Sequence, residues 1–211
     1  MATRLLIVRH AQSEWNAEGR WQGWADPPLS GLGRRQSRAA AQALARRGGQ
    51  PGVTAPADVV VASDLVRAIE TATIIAEVLG LGAVEVESGL RERDVGDFTG
   101  LKRAEIEDRW PGMVGSFVQT SPPGGETTEQ VLRRALPAIH RVAERHAGRD
   151  VLVVTHGGVV RNIEHHLGGE AHPLPNLGGV ELEVTDGSLR LGGRVLLVDP
   201  DEVPVTVPRQ L

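Results

Sequence analysis

The chain has 211 residues with a formal charge of −4, 40% apolar and 24% charged residues, no Cys and no Tyr. That balance is ordinary for a globular chain and wrong for a disordered one, and the length suits one domain with a sizeable core, residues 1–211. The acidic excess excludes holding nucleic acid or an anionic membrane by net charge, and the missing Cys excludes disulfides, thiolate nucleophiles and Cys-type zinc sites.

No run approaches the apolar length of a membrane span, and Met1-Ala2-Thr3-Arg4 lacks a signal-peptide pattern, so a cytoplasmic location is expected. Lys102 is the single Lys; the other 22 basic residues are Arg. A GC-rich genome produces that bias, so position rather than abundance must carry any argument about anion binding.

Leu5–Val8 opens the chain as an apolar β-rich run. Ser30–Arg47 is an Ala-rich helical stretch capped by Ser30 and closing near Gly48-Gly49. Asp58–Ala62 is a second apolar run. Asp64–Leu79 sets Leu65, Ile69, Ala72 and Ala76 on one helical face and ends at Gly80. Gly89–Glu126 is irregular, with a short helix expected over Leu101–Trp110 and a loop at Ser121–Gly125. Glu129–His146 repeats Val131, Ala135, Ile139 and Val142 at helical spacing. Thr127 with Gln130 reads as its capping box, and Pro137 is expected to bend it. Val151–Thr155 is the third apolar run. Val180–Thr185 and Leu189–Val198 flank Asp186-Gly187 as a hairpin. The tail, with Pro200, Pro204 and Pro208, is expected to lie on the surface.

In all three runs Val, Leu and Ile are consecutive rather than alternate, as in strands covered on both faces. Strands alternating with helices predict a three-layer α/β/α fold with a mostly parallel central sheet. Ligands of such sheets bind beyond the carboxyl ends of the strands. Arg9 and His10 follow the first run; Ser63, Asp64 and, a turn later, Arg67 follow the second; His156, Gly157 and Gly158 follow the third. Two His and two Arg thus meet at one sheet edge. Arg offers a planar fork for phosphate oxygens, the helix after Gly157 offers free N–H groups, and His serves as nucleophile or proton shuttle. This constellation suits a phosphoryl group.

The same residues resemble a known family. Leu6-Ile-Val-Arg-His-Ala-Gln-Ser-Glu-Trp-Asn16 is similar to the opening motif of the histidine phosphatase superfamily, in the branch that includes cofactor-dependent phosphoglycerate mutases. Further blocks follow in the family's order: Gln22-Gly23, Asp26, Leu29-Ser30, Gly33 and Gln36; Ser63-Asp-Leu-Val-Arg-Ala68 with Thr71-Ala72; Leu90-Arg-Glu92 with Gly96 and Gly100; Gly124-Gly-Glu126 with Arg134; Val154-Thr-His-Gly157. The resemblance implies a phosphoglycerate mutase-like fold. It implies His10 as the nucleophile forming a phosphohistidine, Arg9 and Arg67 as phosphoryl clamps, His156 as the second pocket imidazole and Glu92 as the general acid. Asn16, Gln22, Gly23 and the Gly157 N–H would be secondary substrate contacts. It calls for no cofactor and no metal.

Two departures matter. Ala11 stands where Gly is commonest. True mutases carry a Tyr near the acid and an adjacent Arg pair in an inserted segment; this chain has no Tyr, and between Gly100 and Pro123 only Lys102, Arg103 and Arg109 are basic. The expected activity is therefore that of a metal-independent phosphomonoesterase on a small phosphorylated metabolite, without nucleic-acid or membrane partners and with a homodimer left open. A phosphoglycerate mutase or related phosphotransferase is the alternative, and a non-catalytic phosphate-binding regulator the third reading.

Asp94 and Asp97 rival Glu92 as the acid. In Glu164-His165-His166 the two adjacent His read as exposed or capping residues rather than metal ligands. Trp15, Trp21 and Trp24 either line a substrate entrance or cover the core edge. Arg134 is the one Arg of the helical Arg pairs expected in a buried ion pair. Ser30 and Gly33 read as structural.

Overall fold

The computed structural model describes residues 2–47, 57–114, 121–170 and 172–206. Its elements run β1 (Thr3–Arg9), α1 (Glu14–Glu18), α2 (Gly31–Arg47), β2 (Val59–Ala62), α3 (Val66–Leu79), β3 (Glu85–Val86), α4 (Arg103–Arg109), α5 (Thr128–Arg145), β4 (Asp150–Thr155), α6 (Gly157–His166), β5 (Gly178–Thr185) and β6 (Ser188–Leu196). Two 3₁₀ turns, Ser88–Leu90 and Gly96–Phe98, interrupt the irregular stretch before α4.

The strands form one sheet in the order β3-β2-β4-β1-β5-β6. β3, β2, β4 and β1 pair parallel, and β5 and β6 extend the edge antiparallel. The consecutive apolar residues divide between the two faces, as strand geometry requires. Leu5, Ile7, Val151 and Val153 pack under α5 and α6 with Val131, Ile139, Val160 and Ile163. Val8, Val60, Leu152 and Val154 pack under α2 and α3 with Ala40, Leu44, Ala72 and Ile75. The chain is thus an α/β protein with helices on both faces of a mixed sheet.

Local chemistry sets the element ends. The Ser30 hydroxyl accepts the Gly33 N–H at 3.0 Å, capping α2; a Cβ at Gly33 would strike the Gln12 backbone. The expected stop at Gly48-Gly49 lies outside the described residues. α3 begins at Val66, not Asp64, because its cap comes from elsewhere in the chain: the Asp26 carboxylate accepts the Val66 N–H at 2.7 Å. Thr127 and Gln130 form the capping box of α5, and Pro137 lies inside that helix. Asp186 (φ 49°) and Gly187 (φ 77°) turn the β5–β6 hairpin through the left-handed region.

The Glu164-His165-His166 group divides. Glu164 is buried, and both its oxygens accept from Arg194 at 2.6 and 2.7 Å, a partner thirty residues away on β6; His165 and His166 are exposed. The described part of the tail lies on the surface, as expected, and is anchored there. Pro204 O accepts from Gln36 Nε2, and Thr206 is hydrogen-bonded to Gln12 Nε2 and, through its carbonyl, to the Asn176 N–H. Pro208 lies outside the described residues. Among the described residues no helix is long and apolar enough to cross a membrane.

Candidate active site

β1 and β4 are neighbours in register, Arg9 opposite Thr155, and the His10 N–H donates to Thr155 O at 2.8 Å. The ladder therefore delivers Arg9, His10 and His156 to one edge. β2 ends beside them, with the Ser63 N–H on Val154 O, and α3 brings Arg67 in a turn later. Arg9, His10, Arg67 and His156 are 4%, 2%, 0% and 0% exposed. The two imidazoles lie with ring centroids 5.2 Å apart at 63°.

Hydrogen bonds assign the nitrogens. A carbonyl can only accept, so His10 Nδ1, 2.6 Å from Ala11 O, must carry a hydrogen. Burial, then Arg67 and Arg9, hold the His10 imidazole well below the usual His value. It is therefore neutral, and Nε2 carries the lone pair. Ala11, the departure from Gly, is buried and needs no left-handed backbone.

His156 Nε2 lies 2.8 Å from Ser63 Oγ, which also accepts the Leu65 N–H at 3.3 Å. The Ser63 hydroxyl hydrogen has no other acceptor among the described residues, so it goes to Nε2 and Nδ1 bears the His156 N–H. Burial, then Arg67 and His10, keep this imidazole neutral as well.

The guanidiniums are held through backbone oxygens. Arg9 Nη1 donates to Leu174 O at 2.9 Å, and Arg67 donates to Ala25 O and Gly23 O at 2.7 and 2.8 Å. Burial lowers both to about 10, so both remain cations at neutral pH. Arg67 Nε, His156 Nδ1 and Asn176 Oδ1 are buried without a hydrogen-bond partner among the described residues. Unsatisfied N–H donors on the Arg67 guanidinium and on His156, with the Arg9 charge acting on the same imidazole, are the chemistry of an anion site.

Glu92 faces this group from the irregular segment. Its oxygens accept the Arg93 N–H at 2.9 Å and the Gly158 N–H at 3.3 Å. A Cβ at Gly158 would run into the carboxylate and push it aside, so Gly there leaves room for Glu92 in this position. Glu92 is also the carboxylate whose charge acts on Arg9, Arg67, Arg93 and Arg161. The rivals look elsewhere: Asp94 accepts the Gly96 N–H, and Asp97 is exposed. Arg134 pairs with Glu126, as expected, and also donates to Gly89 O, Arg91 O and Glu92 O.

The secondary residues divide. The Gly157 backbone lies against Arg9. The Gly23 carbonyl anchors Arg67, and its φ of 50° and close approach to Val95 need a residue without a side chain. Asn16 Oδ1 accepts from Ser13 N–H in the α1 cap, and Gln22 Oε1 from the Ser13 hydroxyl. The tryptophans separate too. Trp21 is buried with Phe98 and Ile106, whereas Trp24 is exposed, donates its indole N–H to Glu92 O at 2.7 Å and lies under Arg91.

Two contributors escape sequence reasoning. Ser63 sits in a matched motif, yet nothing local tells that it meets His156. Asn176 Nδ2 donates to His10 O at 2.8 Å from far along the chain. The next residue, Leu177, is buried at φ 59°, backbone strain of about 1–3 kcal/mol spent where it holds Asn176 against the nucleophile's carbonyl.

Comparison with known proteins agrees with this geometry. The family model of the histidine phosphatase superfamily (branch 1) matches residues 5–191. The chain is 36% identical over 188 residues to a glucosyl-3-phosphoglycerate phosphatase of Mycolicibacterium vanbaalenii, covering 84% of this chain and 80% of that one. It is likewise 36% identical over 183 residues to a 2,3-bisphosphoglycerate-dependent phosphoglycerate mutase of a Chelativorans species, covering 80% and 83%. The solved structure of a mycobacterial glucosyl-3-phosphoglycerate phosphatase in complex with VO3 superposes with a TM-score of 0.76 at 31% identity, over 93% of this chain and 99% of that one. The chain belongs to the histidine phosphatase superfamily, branch 1.

Proposed function

We propose that the chain is a metal-independent phosphomonoesterase working through a phosphohistidine in one catalytic domain. His10 Nε2 attacks phosphorus while the P–O bond to the leaving alcohol breaks. Glu92 gives that oxygen a proton. Glu92 then takes a proton from water, the resulting hydroxide attacks phosphorus, the P–N bond breaks, and phosphate leaves with His10 restored. Arg9, Arg67 and the His156 N–H hold the non-bridging oxygens and stabilise the charge that builds on them, the part a metal ion plays in other phosphatases. Asn16, Gln22, Gly23 and the Gly157 N–H shape the rim of the phosphoryl site.

The observation that carries this reading is the nucleophile's own geometry: a buried neutral imidazole, Nδ1 tied to Ala11 O, its free nitrogen among two guanidiniums and an unsatisfied N–H. The substrate is a small phosphorylated metabolite and the setting cytoplasmic, without nucleic-acid or membrane partners. Sedimentation separates a monomer from the homodimer the sequence leaves open.

The test is hydrolysis of an aryl phosphate in excess chelator, followed by trapping acid-labile label from a radiolabelled ester. Histidine 10 to alanine (His10→Ala) should abolish both label and turnover, on the order of 10⁴-fold or more. Unchanged turnover in that variant overturns the mechanism. A mutase reading is favoured by the Chelativorans relative and opposed by the missing Tyr and Arg pair. Supplying 3-phosphoglycerate with a bisphosphoglycerate primer decides it: isomer exchange faster than phosphate release favours the mutase.

A further inference from the structure

Among the described residues Arg161 makes no ion pair. It lies on the second turn of α6, half-buried, and its one hydrogen bond among the described residues runs from Nε to Gly157 O at 3.2 Å. Arg4, Arg91, Arg134, Arg141 and Arg194 each grip a carboxylate. Arg161 has none within ion-pair distance among the described residues. The nearby acids are already engaged: both Glu164 oxygens hold Arg194, and the Glu92 oxygens take the Arg93 and Gly158 N–H groups.

Its position gives the unpaired charge a purpose. The Nε–Gly157 bond folds the side chain back over the first turn of α6, where Gly157 lies against Arg9 and Gly158 against Glu92. Under the phosphatase reading, on which this inference rests, Glu92 faces the leaving oxygen. What flanks Glu92 therefore faces the alcohol rather than the phosphoryl group. A half-buried guanidinium there has lost solvation and gained only one backbone carbonyl and distant carboxylates, a cost that an anionic ligand in direct contact offsets. The electrostatics agree: burial is the main influence lowering Arg161, and Glu92 is the main charge opposing it.

We propose that Arg161 is a specificity-determining residue that binds a second anionic group on the leaving alcohol, so that the preferred substrates are phosphomonoesters carrying a carboxylate or a further phosphate near the ester oxygen. The guanidinium fork suits either anion.

Matched esters test this. 3-Phosphoglycerate is compared with glycerol 3-phosphate, and phosphoserine with phosphoethanolamine; each pair differs by one carboxylate. A sugar bisphosphate against its monophosphate separates a phosphate from a carboxylate as the second anion. Wild type should prefer the doubly anionic member of at least one pair by tenfold or more in kcat/KM. Arg161→Gln should erase most of that preference, and Arg161→Lys should retain part of it. Because the readout is a ratio of two substrates on one protein, a general loss of activity cancels. Absence of any preference in wild type overturns the proposal, and so does a preference that survives in Arg161→Gln. Should the Gln variant fail to fold, the wild-type ratios and the Lys variant decide. Failure of wild type to hydrolyse even an aryl phosphate would remove the phosphatase reading itself; aryl turnover without anion preference removes only the role of Arg161.

Discussion

The nucleophile's cage and the acid's segment meet at one site but are held by different forces. Arg9, His10 and His156 extend a parallel ladder, with Arg9 opposite Thr155 and the His10 and Ser63 N–H groups bonded to β4 carbonyls. Around Glu92 no ladder exists. There one guanidinium, Arg134, gathers the Gly89, Arg91 and Glu92 carbonyls, while Glu126 holds Arg134 and accepts the Asp94 N–H. The cage is thus as durable as the sheet. The acid's placement depends on side-chain hydrogen bonds, the Arg134–Glu126 pair with its fan of three carbonyls chief among them and the Trp24 indole and the Arg91–Asp64 pair beside it, so chemistry at the leaving group can be damaged without touching phosphoryl binding.

The largest expected effect on this division comes from Glu92→Gln. Alkyl phosphates, whose leaving group needs a proton, should slow by about 10²–10³-fold, and activated aryl phosphates far less. Kinetics on a leaving-group series measures it. Equal losses across the series would mean that another group, Asp94 first, supplies the proton.

Arg134→Gln should give a milder version of the same signature. Alkyl ester turnover falls by roughly tenfold as Glu92 loses its fixed position, and aryl turnover changes little. Leaving Glu126 half-buried without its partner should also cost roughly 2 kcal/mol in stability, read from denaturant midpoints. Equal kinetic losses on both ester classes would show that the acid segment and the cage are mechanically one unit.

This division also marks what the sequence made legible. Arg9, His10 and His156 follow apolar runs that read as strands covered on both faces, so chain order placed them at one edge. Arg67 was readable one turn into a helix, and Arg134 near a capping box. Ser63 bonding His156, Asn176 bonding His10 O, Asp26 capping α3 and Arg194 pairing Glu164 were not readable. Each is a side-chain bond between residues at least thirty positions apart, with no periodicity to announce it. The burial of Glu164 has the same origin: its neighbours His165 and His166 are exposed, as expected, and only the tertiary position of Arg194 draws it inside.

The last effect is read on stability rather than on turnover: it concerns acid, and it belongs to the cage alone. His10 and His156 are both held well below 6.5 in the folded protein, chiefly by burial. As pH falls through about 6.5 the unfolded chain takes up protons that the folded chain refuses, so stability is full above that value and declines below it. The decline is up to about 1.4 kcal/mol per pH unit for each imidazole. The lowered carboxylates Glu85, Glu87 and Glu126 act in the same direction, but only below about 4.5. Between pH 6.5 and 5 the slope from these groups therefore belongs to the two cage imidazoles. Chemical denaturation across that window should show it, and His156→Asn should remove about half of their contribution while Glu92→Gln leaves it intact. An undiminished slope in His156→Asn would mean that His156 is protonated in the folded state. The same low value keeps His10 Nε2 unprotonated at mildly acidic pH, so the acid limb of kcat/KM should lie below the ordinary His range.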